Sequence, residues 1–88
     1  MNFLEDLDAS NWIGVKFILT DLDLALTFLD VAANSTDPEV VRRNYDNALK
    51  AYTTVVDLLE RLSPDEQQRL EIEAKLTIVR ARLGDVRE

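Results

Sequence analysis

Both prolines of this chain stand directly after a side chain that can cap a helix and directly before an acid, in Asp37-Pro38-Glu39 and Ser63-Pro64-Asp65. Proline's fixed φ and missing amide suit the first turn of a helix and no later turn, so each marks a helix start. In Ser63-Pro64-Asp65-Glu66, Ser63 can accept from the orphan amide of the third helical position while Glu66 reaches back to close a capping box. Thr36 or Asp37 serves the same purpose ahead of Pro38. A weaker start at Ser10-Asn11 precedes Trp12, with Glu5, Asp6 and Asp8 near the positive end of the helix dipole, and leaves residues 1–9 unassigned. Gly84, followed by Val86, suits a left-handed carboxy-terminal cap with its usual apolar contact. These marks predict helices over about 10–34, 38–62 and 64–83, and no strand.

Periodicity agrees with the caps. In the second segment Val41, Tyr45, Ala48, Tyr52, Val55, Leu59 and Leu62 recur at alternating spacings of four and three, which is one apolar stripe along a helix. The third segment repeats the pattern with Ile72, Leu76, Val79 and Leu83, flanked by Leu70 and Ile78. Gln67, Gln68, Glu71, Lys75 and Arg82 are expected to face away, with Glu71 and Lys75 one turn apart. Helices of such length joined by tight turns run antiparallel to their neighbours, so the expected fold is all-α, one domain over residues 1–88, an antiparallel three-helix up-down-up bundle. The expected core holds Ile18, Leu22, Leu29, Val41, Tyr45, Ala48, Val55, Leu59, Leu76, Val79 and Leu83. On that reading Leu59→Ala costs roughly 2 to 5 kcal/mol, and loss of the Ser63 cap in Ser63→Ala costs about 1 kcal/mol.

The first helix behaves differently. Its polar residues Lys16, Thr20, Asp23, Thr27, Asp30 and Asn34 form one narrow seam at alternating spacings of four and three. Around that seam nearly every position from Trp12 to Ala32 is apolar, interrupted only by Gly14 and Asp21. A bundle helix packed on two neighbours needs an apolar arc somewhat above about 100°, and this helix exceeds it. Something besides the other two helices is therefore expected to cover the remainder.

A chain of 88 residues buries only roughly 60 to 65% of its unfolded surface, so extra burial through association is expected on size alone. Apolar residues at 47%, with two glycines and two prolines, argue for a folded chain rather than a disordered one. Seventeen acids against ten bases give a net charge of −7, which repels nucleic acid and anionic lipid and excludes both as expected partners. The acidity concentrates in Met1–Thr36, where Lys16 stands against Glu5, Asp6, Asp8, Asp21, Asp23 and Asp30. Without cysteine no disulfide or thiolate site is possible. The acidic opening Met1-Asn2-Phe3-Leu4-Glu5-Asp6 lacks the basic region of a secretory signal, and no stretch approaches the ~20 apolar residues of a membrane span; the expected compartment is the cytoplasm.

The inventory for catalysis is poor, with no His, no Cys and no nucleophile beside a base, so the chain is expected not to be an enzyme and to need no cofactor. Asp23 and Asp30 share a face with Thr27 between them, but a hard cation wants about six converging oxygens, and the expectation is a solvated seam rather than a metal site. Asp21 is expected either to pair with Arg42, Arg43 or an arginine of the third helix, or simply to be exposed. Tyr45 and Tyr52, with Asn44 and Asn47 alongside, read as core packing before ligand binding. Trp12 reads equally as an interface anchor or as internal packing.

The run Asn44-Tyr45-Asp46-Asn47-Ala48-Leu49-Lys50-Ala51-Tyr52-Thr53-Thr54-Val55-Val56-Asp57-Leu58 resembles the second helix of a tetratricopeptide repeat. It is also similar to helices of the three-helix microtubule-interacting-and-transport domain. In the repeat family a small residue at the place of Ala48 and an aromatic at that of Tyr52 let paired helices approach closely, and the arrays bind peptides. The preceding helix lacks the family's glycine and aromatic pattern, and no second copy of the ~34-residue repeat follows. Both resemblances imply a protein-binding role.

The functional expectation is a non-enzymatic helical interaction module that self-associates as a homodimer through the first helix. Trp12, Val15, Leu19, Leu26 and Val31 lie in the interface with part of Leu24, and more than about 1,000 Å² is buried. The alternatives are a small-molecule binder lined by Trp12, Phe17, Phe28, Tyr45 and Tyr52, or a regulatory subunit docking on an enzyme through the first helix.

Overall fold

A computed structural model of the chain describes residues 3–87, with the side chains of residues 11–84. Three helices make up the described residues and no strand occurs among them: α1 (Phe3–Asn34), α2 (Pro38–Leu59) and α3 (Glu66–Arg87). The molecule measures 53 × 21 × 17 Å. Its long dimension is set by α1, whose 32 residues rise about 48 Å at ~1.5 Å per residue.

The first turn of α2 is made as its sequence suggests. Asp37 is the N-cap in extended backbone (φ −85°, ψ 114°), its Oδ1 accepting from Glu39 N–H at 2.9 Å, with Pro38 in the first turn. Thr36 is not the cap. Ser35 Oγ instead accepts from the Asp37 amide at 3.1 Å, which holds the turn. At its far end α2 closes at Leu59 rather than Leu62. Arg61 N–H and Leu62 N–H donate to Leu58 and Leu59 carbonyls, and such three-residue spacing tightens the chain into a turn.

The start of α3 differs from the expectation. Ser63 is not its cap; the helix begins at Glu66 behind a capping box formed two residues later. Gln68 N–H donates to Asp65 Oδ1 at 2.7 Å and Asp65 N–H donates to Gln68 Oε1 at 2.9 Å. The reason lies in α1. Asn11 Nδ2 donates to the Ser63 carbonyl at 3.1 Å and Ser63 N–H donates to Asn11 Oδ1 at 2.7 Å. Both main-chain groups of Ser63 are thereby held by a side-chain amide, and Pro64 is left outside the helix. The same engagement explains why Ser10-Asn11 does not open α1, whose backbone is already helical from Phe3. The side chains of Glu5, Asp6, Asp8 and Ser10, and the expected contact of Val86, lie outside the described residues. Gly84 is no left-handed cap: no glycine has positive φ, and α3 runs through it to Arg87.

One face of α1 carries half of the core: Val15, Ile18, Leu22, Ala25, Leu29 and Ala32 are buried. To these α3 adds Ile72, Leu76, Val79 and Leu83, while α2 adds only Ala48 and Val55. Tyr45, Tyr52, Leu59 and Leu62 of the α2 stripe are half-buried at the rim of the cluster, and Val41 is half-buried outside it. Of the expected core, Val41, Tyr45 and Leu59 are therefore peripheral. Val15, Ala25, Ala32 and Ile72 take fully buried places that the expected list omits.

Two outcomes follow. Asp65→Ala should lower stability by about 1 kcal/mol, whereas Ser63→Ala, which leaves both main-chain bonds to Asn11 intact, should melt within a few tenths of a kcal/mol of the parent; paired thermal melts check both. Leu22→Ala, at a site with no exposure, should cost roughly 2 to 5 kcal/mol, and Leu59→Ala clearly less because its side chain is already partly in water, as urea titration of the two variants would read.

Candidate interaction surface

The polar seam of α1 is the flank on which α3 rests. Lys75 of α3 pairs with Asp23, and Arg82 pairs with Asp30 at 2.8 Å. Lys75 and Arg82 thus do not face away from the bundle, and Lys75 reaches across to α1 instead of one turn back to Glu71. The two bases lie partly under cover at 27% and 31% side-chain exposure while the acids stay near 61% and 65%, so long aliphatic stems pack inward and the charges meet at the edge. Thr27 Oγ1 donates to the Asp23 carbonyl at 3.1 Å, and Asn34 Nδ2 to the Asp30 carbonyl at 2.8 Å. Among the described residues no cluster of three or more acids, His or Cys is placed to hold a metal ion.

The tyrosines of α2 face α3. Tyr45 donates its hydroxyl to the Leu83 carbonyl at 3.4 Å, and Arg80 Nε donates to the Tyr52 hydroxyl at 2.9 Å with the guanidinium 5.9 Å from the ring centre. The bond to Tyr52 pushes the Arg80 guanidinium above its ordinary value. Trp12 and Phe17 are exposed on α1, so the five aromatics Trp12, Phe17, Phe28, Tyr45 and Tyr52 do not converge on a shared pocket. Ala48 is fully buried and Tyr52 half-buried against the core.

Of the five residues expected at an interface, Val15 is buried in the core at 2% exposure and is not available to a partner. Leu19 and Leu26 are half-buried, packed on the core cluster beside α3's flank. Trp12 and Val31 are exposed, and the Lys16 ammonium stands 4.7 Å from the centre of the Trp12 ring. The sequence reading reached the face directly opposite the core only in part, at Val31 and Leu24, and left Ile13 and Phe17 out of it. There Ile13, Phe17, Leu24 and Val31 are 62%, 49%, 43% and 43% exposed and form one ridge along α1, with Thr20 and Thr27 between them. The signal was present in the numbering: positions 13, 17, 20, 24, 27 and 31 alternate by four and three. It was masked because the core face of the same helix shows the same rhythm.

At its amino-terminal end the ridge runs into a shallow apolar groove of 470 Å³ lined by Ile13, Gly14, Phe17, Leu58 and Leu62. Gly14 makes its floor. A Cβ there would lie 2.8 Å from both δ-methyls of Leu62, so the missing side chain is what lets Leu62 settle against the α1 backbone. A second apolar area, on the outer face of α3, exposes Leu70 (65%) and Ile78 (49%). The outer face of α2 is polar, with Glu39, Arg42, Arg43, Asp46, Asn47 and Lys50 lining its surface. Asp21, half-buried beside the ridge, makes no ion pair among the described residues with Arg42, Arg43 or any other base.

No described helix is long and apolar enough to cross a membrane. In comparison with known proteins, no family model, curated protein or solved structure matches this chain.

Because Asp23 and Asp30 sit largely in solvent, their pairs should contribute little. Asp23→Asn combined with Asp30→Asn should lower stability by less than about 1 kcal/mol in dilute buffer, and the difference should shrink toward zero at ~1 M salt, as melts at both ionic strengths would register.

Proposed function

We propose that this chain is a non-enzymatic helical interaction module that self-associates through the outer face of α1. The observation that carries the reading is the ridge Ile13, Phe17, Leu24 and Val31, each more than two-fifths exposed along one line of a helix whose opposite line is the core. A protein surface tolerates scattered apolar side chains, but four large ones aligned on one face of a helix, separated only by Thr20 and Thr27 and beside an apolar groove, have the character of a contact surface. The groove at Leu58 and Leu62 enlarges the same surface.

The arrangement we propose for the three helices is antiparallel and up-down-up. Support comes from cross-links of constant separation: Asn11 with Ser63, Asp23 with Lys75 and Asp30 with Arg82 each join residues 52 apart, so α1 and α3 advance in the same direction. Tyr45, early in α2, reaches Leu83, late in α3, as a helix of opposite sense would. In that arrangement both apolar outer faces, that of α1 and that of α3, remain unpaired within one chain.

Sedimentation equilibrium at micromolar concentration tests the function. The expected species is a dimer of the 10.0 kDa chain, and Phe17→Glu with Leu24→Glu should give a monomer of unchanged helicity by circular dichroism. A parent chain that sediments as a monomer would remove the reading.

A further inference from the structure

The ridge constrains more than the existence of a contact, because its spacing and its flanking charges select one geometry. Positions 13, 20 and 27 and positions 17, 24 and 31 each repeat every seven residues, the period at which two α-helices stay in contact along a seam. The residues immediately before Phe17, Leu24 and Val31 are Lys16, Asp23 and Asp30; those immediately after Ile13, Thr20 and Thr27 are Gly14, Asp21 and Phe28. These two rows flank the seam. Asp23 and Asp30 already hold Lys75 and Arg82, so the row beside α3 is largely neutralised except at Lys16. In the other row Asp21 is half-buried. Neither Lys16 nor Asp21 has an ionic partner among the described residues.

Resting on the self-association reading above, we propose that the occupant of this face is a second copy of the chain lying parallel to the first about a two-fold axis along α1. Phe17, Leu24 and Val31 each stack on their own mates, and Lys16 of each copy pairs with Asp21 of the other. In parallel two-helix contacts a residue of the first flank meets the residue five further on in the second flank of its partner. Lys16 then meets Asp21, Asp23 meets Phe28 and Asp30 meets Ser35, with no like charges opposed. In a head-to-tail contact on the same ridge each flank meets itself, which sets Asp21 against Asp21 and Asp23 against Asp23 around the axis. Asp23 keeps Lys75 beside it, but Asp21 is half-buried with no ionic partner among the described residues, so setting Asp21 against Asp21 is costly and the parallel arrangement avoids it. Thr27 is compatible with the covered seam because its hydroxyl is already satisfied by the Asp23 carbonyl.

The chain's lack of cysteine makes the geometry directly readable. Leu24→Cys, oxidised with diamide, should run mostly as a covalent dimer without reductant, each disulfide forming as two thiols give up two electrons and two protons to the oxidant. A mixture of Ile13→Cys and Val31→Cys chains should yield the Ile13–Ile13 and Val31–Val31 position links and little of the mixed product. Predominance of the mixed product would mean a head-to-tail contact and overturn the proposal. Independently, Lys16→Glu and Asp21→Lys should each weaken dimerisation by about tenfold by sedimentation, and the two together should restore most of the affinity at unchanged helicity. If the parent dimerises but the combined variant recovers nothing, the parallel register is wrong while self-association through α1 stands; if Leu70→Glu with Ile78→Glu on α3 abolishes the dimer while Phe17→Glu with Leu24→Glu does not, the contact lies on α3 and both the register and the α1 face are overturned. A parent chain that stays monomeric at micromolar concentration overturns both.

Discussion

Both other helices pack their apolar faces against one line of α1. Val15, Ile18, Leu22, Ala25, Leu29 and Ala32 supply the buried spine; α3 adds Ile72, Leu76, Val79 and Leu83, and α2 adds Ala48 and Val55 with half-buried Tyr45, Tyr52, Val56, Leu58 and Leu59 packed around them. Two helices covering a third bury its inner arc and nothing beyond it, so the outer line of α1 is left to solvent or to a partner by geometry alone. Of the apolar residues on that outer line, Ile13 and Phe17 border Leu58 and Leu62, while Leu24 and Val31 stay 43% exposed.

Polar contacts decide where the packed elements stop and in what register they sit. Asn11 binds both main-chain groups of Ser63, which shifts the start of α3 from the first available cap to Asp65 and Gln68. The pairs Asp23–Lys75 and Asp30–Arg82 repeat the same separation further along. Individually such exposed pairs contribute little free energy. Their arrangement matters through placement, because they line one flank of α1 with neutralised charge and leave Lys16 and Asp21, beside the ridge, without an ionic partner among the described residues.

Much of this was legible in the chain itself. The proline-headed start of α2, the apolar stripe of α3 and the all-helical composition follow from local chemistry: a proline suits the first turn, and spacing of three and four residues puts side chains on one face. The exposed apolar face was harder. Val15 and Val31 look equivalent in a helix that is apolar nearly all round, yet one is 2% exposed and the other 43%. Lys75 and Arg82 read as solvent-facing charges until a carboxylate on another helix stands beside each.

The sequence by itself determined the number of helices, the residues that head α2, and the fact that α1 has more apolar surface than two neighbours can cover. These properties depend on residues within a few turns of one another, and short-range sterics and hydrogen bonding settle them. Only the tertiary structure decided which side of α1 became core, which cap opened α3, and which charges found partners. Each of those choices turns on groups some fifty residues apart, such as Asn11 and Ser63, whose meeting is created by the packing itself and leaves no local trace in the sequence of either segment.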